Sequence, residues 1–283
     1  MEEVTKTSAG AGDAPRRPRA RRRIAVGLAV LVILVAVFAV IQGGGGGGGP
    51  LDTIAKAAEV TQREPGGRAL VKADITSATT SEGITETGVM VFDDSGRARG
   101  AMTYRGDTNG REGKVETIVD GTTSYATSEQ LGSLPEGKKW MEVDYSSAVK
   151  GSGSPADAGP REGLKTLEQV QGSEEVGKED IRGVATTHYR GALPAAKEVF
   201  GVKVDASGPH VDVWIDGQGR VRRMQVALSS EVTGVESSAT NTEITIDYVS
   251  FGRVPKIRLP DPDEVFDATG KIESEVQSVA EGH

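Results

Sequence analysis

Apolar and polar residues alternate with a period of two between positions 211 and 228. The turn sequence Asp-Gly-Gln-Gly at 216–219 interrupts the alternation, so the pattern predicts a β-hairpin. One face of this hairpin is apolar and carries Val211, Val213, Ile215, Met224, Val226 and Leu228. We expect the opposite face to contact solvent, since it carries Asp212, Trp214, Asp216, Arg223 and Gln225. The apolar face covers either a packed core or a bound apolar ligand.

Similar alternation recurs through most of the chain after residue 67. It predicts strands within 68–81, 87–106, 114–128, 138–145, 179–191 and 241–252. Helical spacing instead predicts a helix over 51–63, with Leu51, Ile54, Ala55 and Ala58 on one side. It also predicts a short helix over 161–172 that presents Leu164 and Leu167. We also expect a helical turn or two over 194–200, and solvated turns at the acidic pairs 93–94 and 174–175.

The first fifty residues have a different character. Residues 1–23 form a polar, disordered tail that holds six arginines, and residues 24–41 follow as 18 uncharged, apolar positions. That length spans a bilayer as a helix, and the preceding arginines predict that the tail stays in the cytoplasm. We therefore expect a transmembrane anchor over 24–42, a glycine-rich tether over 43–50 and an extracytoplasmic domain. Signal-peptide cleavage near Ala39 is the alternative, and it would make the domain secreted.

Charge and cysteine content narrow the range of partners. Residues 1–42 hold seven basic and three acidic residues, so the remainder keeps 26 basic and 38 acidic residues, a net charge of −12. A domain of this charge is not expected to bind nucleic acid. The chain has no cysteine, which excludes disulfides, thiolate metal sites and a lipid-modified cysteine.

A search for catalytic motifs finds only partial matches. The segment 132–139 resembles a phosphate-binding loop, but Lys139 replaces the hydroxyl residue that would hold magnesium. Ser147 and Lys150 match Ser-x-x-Lys without the motifs that accompany it in penicillin-recognising enzymes. The three histidines lack metal-ligand spacing. We therefore predict that the protein is not an enzyme and uses no catalytic residue, metal or cofactor.

The order of several segments resembles a known family. KKWMEVDY at 138–145, EDIRGVATTHYRG at 179–191, the hairpin and YVSFGRVPKIRLPDPDEVF at 248–266 together resemble the LppX/LprA-F-G lipoproteins of actinobacteria, within the LolA/LolB-like lipoprotein-carrier superfamily. The resemblance covers residues 51–266 and leaves 267–283 as a polar tail. It implies an α+β, mainly β fold. This fold is a strongly curved antiparallel sheet, or half-open β-barrel, wrapped around a few helices, with an apolar cavity between sheet and helices.

The resemblance also implies a function and a set of lining residues. The cavity would hold acyl chains of lipids, glycolipids or lipoproteins, and the protein would bind and transfer lipid next to the membrane, with an envelope transport partner. By this resemblance the cavity is lined by Met90, Phe92, Met102, Tyr104, Leu164, Leu167, Tyr189, Val213, Met224, Val226 and Leu228. The alternative is a protein-interaction or signalling ectodomain whose own side chains fill the cavity. The chain departs from the family in lacking the lipobox cysteine, which a helix and a tether would replace.

Overall fold

The computed structural model describes residues 53–77, 83–95, 97–106, 111–127, 134–144, 146, 164, 167–193, 198–199, 202–232 and 240–280. The anchor predicted over 24–42 lies outside these residues. Within the described ranges no helix is long and apolar enough to cross a membrane.

Most of the described chain belongs to one large sheet. Its strands are β1 (Gly67–Ser77), β2 (Gly83–Phe92), β3 (Ala98–Gly106), β4 (Arg111–Asp120), β5 (Thr123–Thr127), β6 (Trp140–Asp144), β7 (Gln171–Ile181), β8 (Val184–Ala192), β9 (Glu198–Val199), β10 (Val202–Asp216), β11 (Val221–Val232), β12 (Thr240–Phe251) and β13 (Val265–Asp267). The strand order is β13-β6-β5-β4-β3-β2-β1-β12-β11-β10-β8-β7, and β9 pairs with β10. Neighbouring strands are antiparallel except β13, which runs parallel to β6.

Few helices accompany the sheet in the described residues. They are α1 (Thr53–Gln62), α2 (Thr269–Ala280) and two 3-10 turns, Leu167–Gln169 and Pro262–Glu264. Helix α2 contacts both β6 and β10, which lie in opposite halves of the strand order. The sheet must therefore curve, and its order is not closed, since β13 and β7 are its two ends. A mainly β fold with a large curved sheet agrees with the sequence prediction, whereas the parallel β13 departs from the expected all-antiparallel sheet.

Helix α1 packs on the sheet through the apolar side predicted from its spacing. Ile54, Ala55 and Ala58 are buried, and the helix contacts β10 and β11. The Thr61 hydroxyl donates to the Ala57 carbonyl at 2.7 Å and accepts from the Val221 backbone N–H at 2.8 Å. These two bonds fix the last turn of α1 against the start of β11.

The hydrophobic core lies between the concave, inner face of the sheet and these helices. Leu164 and Leu167 are fully buried in it, as the sequence predicted for the apolar side of the second helix. Ile272 of α2 is also fully buried in this core. The polar tail expected after Phe266 therefore includes a helix that contributes to the core.

Two segments differ from their predicted structure. The acidic pair 174–175 was expected in a turn but lies in β7, a strand formed by pairing with β8 and not by its own apolar pattern. A turn at Arg182 and Gly183, both with positive φ, divides the predicted strand 179–191 between β7 and β8. Residues 198–199, predicted as helical, pair with β10 as the short strand β9.

Candidate functional site

A continuous row of apolar residues crosses the inner face of the sheet from β8 to β4. We call it the first row, and in register it consists of Tyr189, Val213, Met224, Ile246, Val71, Gly88, Met102 and Val115. Val213, Met224 and Ile246 are at most 2% exposed. Because the side chains of a strand alternate between faces, these residues from eight strands share one surface.

A second row runs beside the first across the same eight strands. It consists of Gly191, Val211, Val226, Ile244, Ala73, Glu86, Tyr104 and Gly113. Val211, Val226, Ile244 and Ala73 are buried aliphatic residues and follow one another without interruption. Glu86 is the member of this row that carries an ionisable acid.

Methionine lies over glycine at two places between β2 and β3. Gly88 is opposite Met102 in the register, and a Cβ atom at Gly88 would overlap the Sδ of Met102. Gly100 is opposite Met90, and a Cβ there would lie 2.9 Å from the Met90 Cγ. Both thioether side chains therefore cover bare backbone of the neighbouring strand. Methionine is unbranched and adapts to irregular partners, so this part of the inner face can change shape most easily.

The structure brings most of the predicted lining residues together. Seven of them are buried in the core cluster, namely Phe92, Met102, Leu164, Leu167, Val213, Met224 and Val226. Met90 and Tyr189 are partly buried and pack against the same cluster. Tyr104 and Leu228 lie in β3 and β11, but their side chains are outside the described part of the structure. A role of these residues in lipid binding stays a prediction.

The inner face also contains residues that the sequence-based list omitted. Val71 and Ala73 of β1, and Ile244 and Ile246 of β12, lie at the centre of both rows. The alternation in RALVKADI and EITIDYV places them on one side of their strands, so this signal was present. Glu86 was missed because the predicted strand began after it, although Glu86 falls in phase with Met90 and Phe92.

Glu86 is an acid in an apolar environment. Its side chain is fully buried, and neither carboxyl oxygen has a hydrogen-bond partner. Burial raises the pKa of Glu86 from 4.5 to about 8, because the charged form loses its hydration. Glu86 therefore keeps its proton at neutral pH and presents an uncharged hydrogen-bonding group on the inner face.

The outer face of the hairpin is not the solvated surface that we predicted. Asp212, Trp214 and Asp216 are at most 7% exposed. The Trp214 ring stacks on His188 with 4.2 Å between ring centroids, and its Nε1 donates to the Glu179 carboxylate at 2.7 Å. The two partners come from β8 and β7, so strands distant in sequence bury the tryptophan.

Ion pairs complete the outer face. Asp212 accepts from the Arg190 Nε at 2.9 Å, and Asp247 accepts from Arg223 at 2.6 Å and from Arg182 at 2.8 Å. Burial opposes ionisation of Asp247, but the hydrogen bonds from both arginines outweigh it and lower the pKa of this carboxyl. These charges are satisfied within the sheet, so they stabilise strand pairing. The inner face, with its apolar rows and an unsatisfied acid, is the better candidate site.

Comparison with known proteins identifies the family. A profile of the LppX_LprAFG lipoproteins matches residues 59–246, more than half of the chain. The chain belongs to this family. Membership of this family is what the segment order predicted, and both apolar rows lie entirely within the matched residues.

Individual relatives are distant. The chain is 26% identical over 159 residues to an uncharacterized 31.2 kDa protein from the rplA–rplJ intergenic region of Streptomyces griseus. The match covers 50% of this chain and 52% of that protein, so it spans about half of the relative's length. LppX of Mycobacterium tuberculosis is 17% identical at a TM-score of 0.39, covering 74% of this chain and 97% of LppX. LprF of Mycobacterium bovis is 14% identical at a TM-score of 0.38, covering 74% and 95%. The family assignment rests on the profile match.

Proposed function

We propose that the domain binds acyl chains of a lipid, glycolipid or lipoprotein against the inner face of the sheet and passes them to an acceptor without catalysing a reaction. The observation that carries this proposal is the pair of mainly apolar rows in a member of the LppX_LprAFG family. Such a surface recognises hydrocarbon by its apolar area and not by a signature motif.

The energetics favour an acyl chain as the ligand. Each buried methylene contributes about 0.8 kcal/mol, so a chain of about fourteen methylenes gains on the order of 11 kcal/mol before costs. Part of this gain offsets the opening of the core, since Val213 and Val226 are covered by other residues of the protein. The methionines at Gly88 and Gly100 lower that cost, because they can move without displacing the backbone.

We further propose that the domain acts at the outer surface of the cell membrane. The predicted anchor at 24–42 and the seven glycines at 43–49 would hold it within roughly 25 Å of the bilayer, the maximum reach of such a tether. At this distance the domain can take lipid from the membrane and deliver it to a transport partner. Cleavage near Ala39 would instead release a diffusible carrier.

A second candidate function is a protein-interaction or signalling ectodomain. The observation in its favour is that Val213, Met224 and Val226 are at most 2% exposed, so the protein's own side chains cover the inner face. A core of this kind needs no ligand. The two functions differ in whether purified protein carries lipid.

Native mass spectrometry of the full-length chain, released from its membrane in detergent, tests the proposed function. We expect a mass increment that organic extraction removes and identifies as an acylated molecule. Protein that carries no increment, even after incubation with vesicles of the host's extracted lipids, would favour the interaction domain.

A further inference from the structure

Glu86 occupies a defined position on the inner face, in the middle of β2. In register it faces Ala73 of β1 and Tyr104 of β3, and the next inward residue of its strand is Gly88. Ala73 is fully buried and carries only a methyl group. Beside Glu86 the inner face therefore carries small residues on two sides, Ala73 in β1 and Gly88 in its own strand.

Without a hydrogen-bond partner, the buried side chain of Glu86 destabilises the folded protein. A buried polar group without a hydrogen bond destabilises a protein by about 1–3 kcal/mol, and an apolar side chain of similar size would avoid this penalty. Both oxygens of Glu86 lack a partner and the residue is 0% exposed. An unsatisfied group in a domain built to bind apolar ligands suggests that the missing partner belongs to the ligand.

We propose that the Glu86 carboxyl hydrogen-bonds to an uncharged polar group of the bound lipid, the ester or amide carbonyl at the head of an acyl chain. This inference rests on the proposed function. A carboxylic acid that keeps its proton donates one O–H, and a carbonyl oxygen accepts it. A charged headgroup fits less well, because it would lose its hydration at a fully buried position.

The register of the second row supports placing the carbonyl end of the acyl chain at Glu86. From Glu86 the row continues over Ala73, Ile244 and Val226 to Val211, which is four strand spacings of about 4.8 Å, or about 19 Å. One acyl chain spans roughly 15 Å in a bilayer, half of the hydrocarbon thickness. An acyl chain whose carbonyl lies at Glu86 can thus place its methylenes over the stretch of the second row from Ala73 to Val211.

Two probes that differ in a single carbonyl test the inference. Monopalmitoylglycerol has an ester carbonyl, and 1-O-hexadecylglycerol has an ether at the same place. Adducts of each probe with the full-length chain are titrated by native mass spectrometry in one detergent, for the wild type, Glu86→Gln and Glu86→Met. Glu86→Gln keeps a neutral donor, whereas Glu86→Met keeps the approximate size and removes hydrogen bonding.

We expect Glu86→Met to weaken ester binding about tenfold while ether binding changes little, and Glu86→Gln to bind both probes as the wild type does. Should Glu86→Met fail to fold, Glu86→Ala removes the carboxyl without adding volume and serves the same comparison. If the wild type and Glu86→Met bind the ester equally well, the proposed role of Glu86 is wrong, whereas the acyl-chain function still stands. A wild type that binds neither probe would instead overturn the acyl-chain function, and this inference with it.

Discussion

Single residues decide how the inner face is filled. Glu86 brings an acid into a mainly apolar surface, whereas Gly88, two positions later, leaves room for the Met102 side chain. Both effects depend on contacts between neighbouring strands. Sequence alternation gives the face on which each residue lies, but the burial and the missing partners of Glu86 become visible only when β1, β2 and β3 are in register.

The pH dependence of stability reports the protonation of Glu86. The unfolded chain loses this proton near its ordinary pKa of 4.5, whereas the folded chain keeps it up to a pKa of about 8. Folding therefore takes up a proton between these values, and the free energy of unfolding falls with rising pH by up to about 1.4 kcal/mol per pH unit. Glu86→Gln lacks this contribution to the pH dependence of the free energy of unfolding.

Urea unfolding of the wild type and Glu86→Gln at several pH values measures the effect. The variant should gain stability relative to the wild type between about pH 5 and about pH 8, and the difference should level off above the folded-state pKa. A difference that is the same at all pH values would show that Glu86 ionises normally in the folded protein.

Gly88→Val tests the close contact between glycine and methionine. The added side chain would occupy the space of the Met102 thioether, and overpacking of this kind destabilises a protein by about 1–3 kcal/mol. Gly177→Val in β7 is the matched control, because a Cβ at Gly177 meets no atom within 4 Å. Thermal unfolding should separate the two variants, and equal melting temperatures would contradict the described packing.

At the scale of secondary-structure elements, sequence patterns correctly predicted the features that depend on residues close together in the chain. The hairpin of β10 and β11 follows from its alternation and from the turn at 216–219, and the side of α1 that packs follows from helical spacing. The burial of Trp214 could not be predicted in this way, since His188 and Glu179 reach it from β8 and β7. Strand β7 itself has a polar sequence and forms a strand because β8 offers backbone partners.

Helix α2 provides a prediction at the same scale. Ile272 is fully buried in the core cluster, so Ile272→Ala should lower the free energy of unfolding by about 2–5 kcal/mol. Lys271→Ala changes an exposed neighbour in the same helix and should have little effect. Chemical denaturation compares the two variants. Equal stability would mean that residues after Phe266 do not contribute to the folded domain.

For the whole molecule, the order of segments predicted the family, and the profile match over 59–246 confirms it. The position of the domain relative to the membrane remains a prediction from residues 1–50. A periplasmic-type reporter fused after Pro50 should be active only when it is exported, and the mature chain should begin at Met1 or Glu2. A mature N-terminus near Val40 would show cleavage and a secreted domain.

The central claim is that the inner face holds a carried acyl chain, and Val226→Trp tests it most directly. Val226 is 1% exposed in the second row, and a tryptophan there would fill the volume that a ligand needs. Ala227→Trp adds the same ring to the outer side of the same strand and is the control.

The measurement is the lipid content and the melting temperature of the full-length wild type, Val226→Trp and Ala227→Trp, each purified from the same membranes. We expect Val226→Trp to lose its bound lipid, whereas Ala227→Trp keeps it. The tryptophan must also displace the side chains that cover Val226, so this variant should lose about 1–3 kcal/mol of stability through overpacking. A Val226→Trp variant that unfolds readily, from a wild type without bound lipid, would contradict the acyl-chain function.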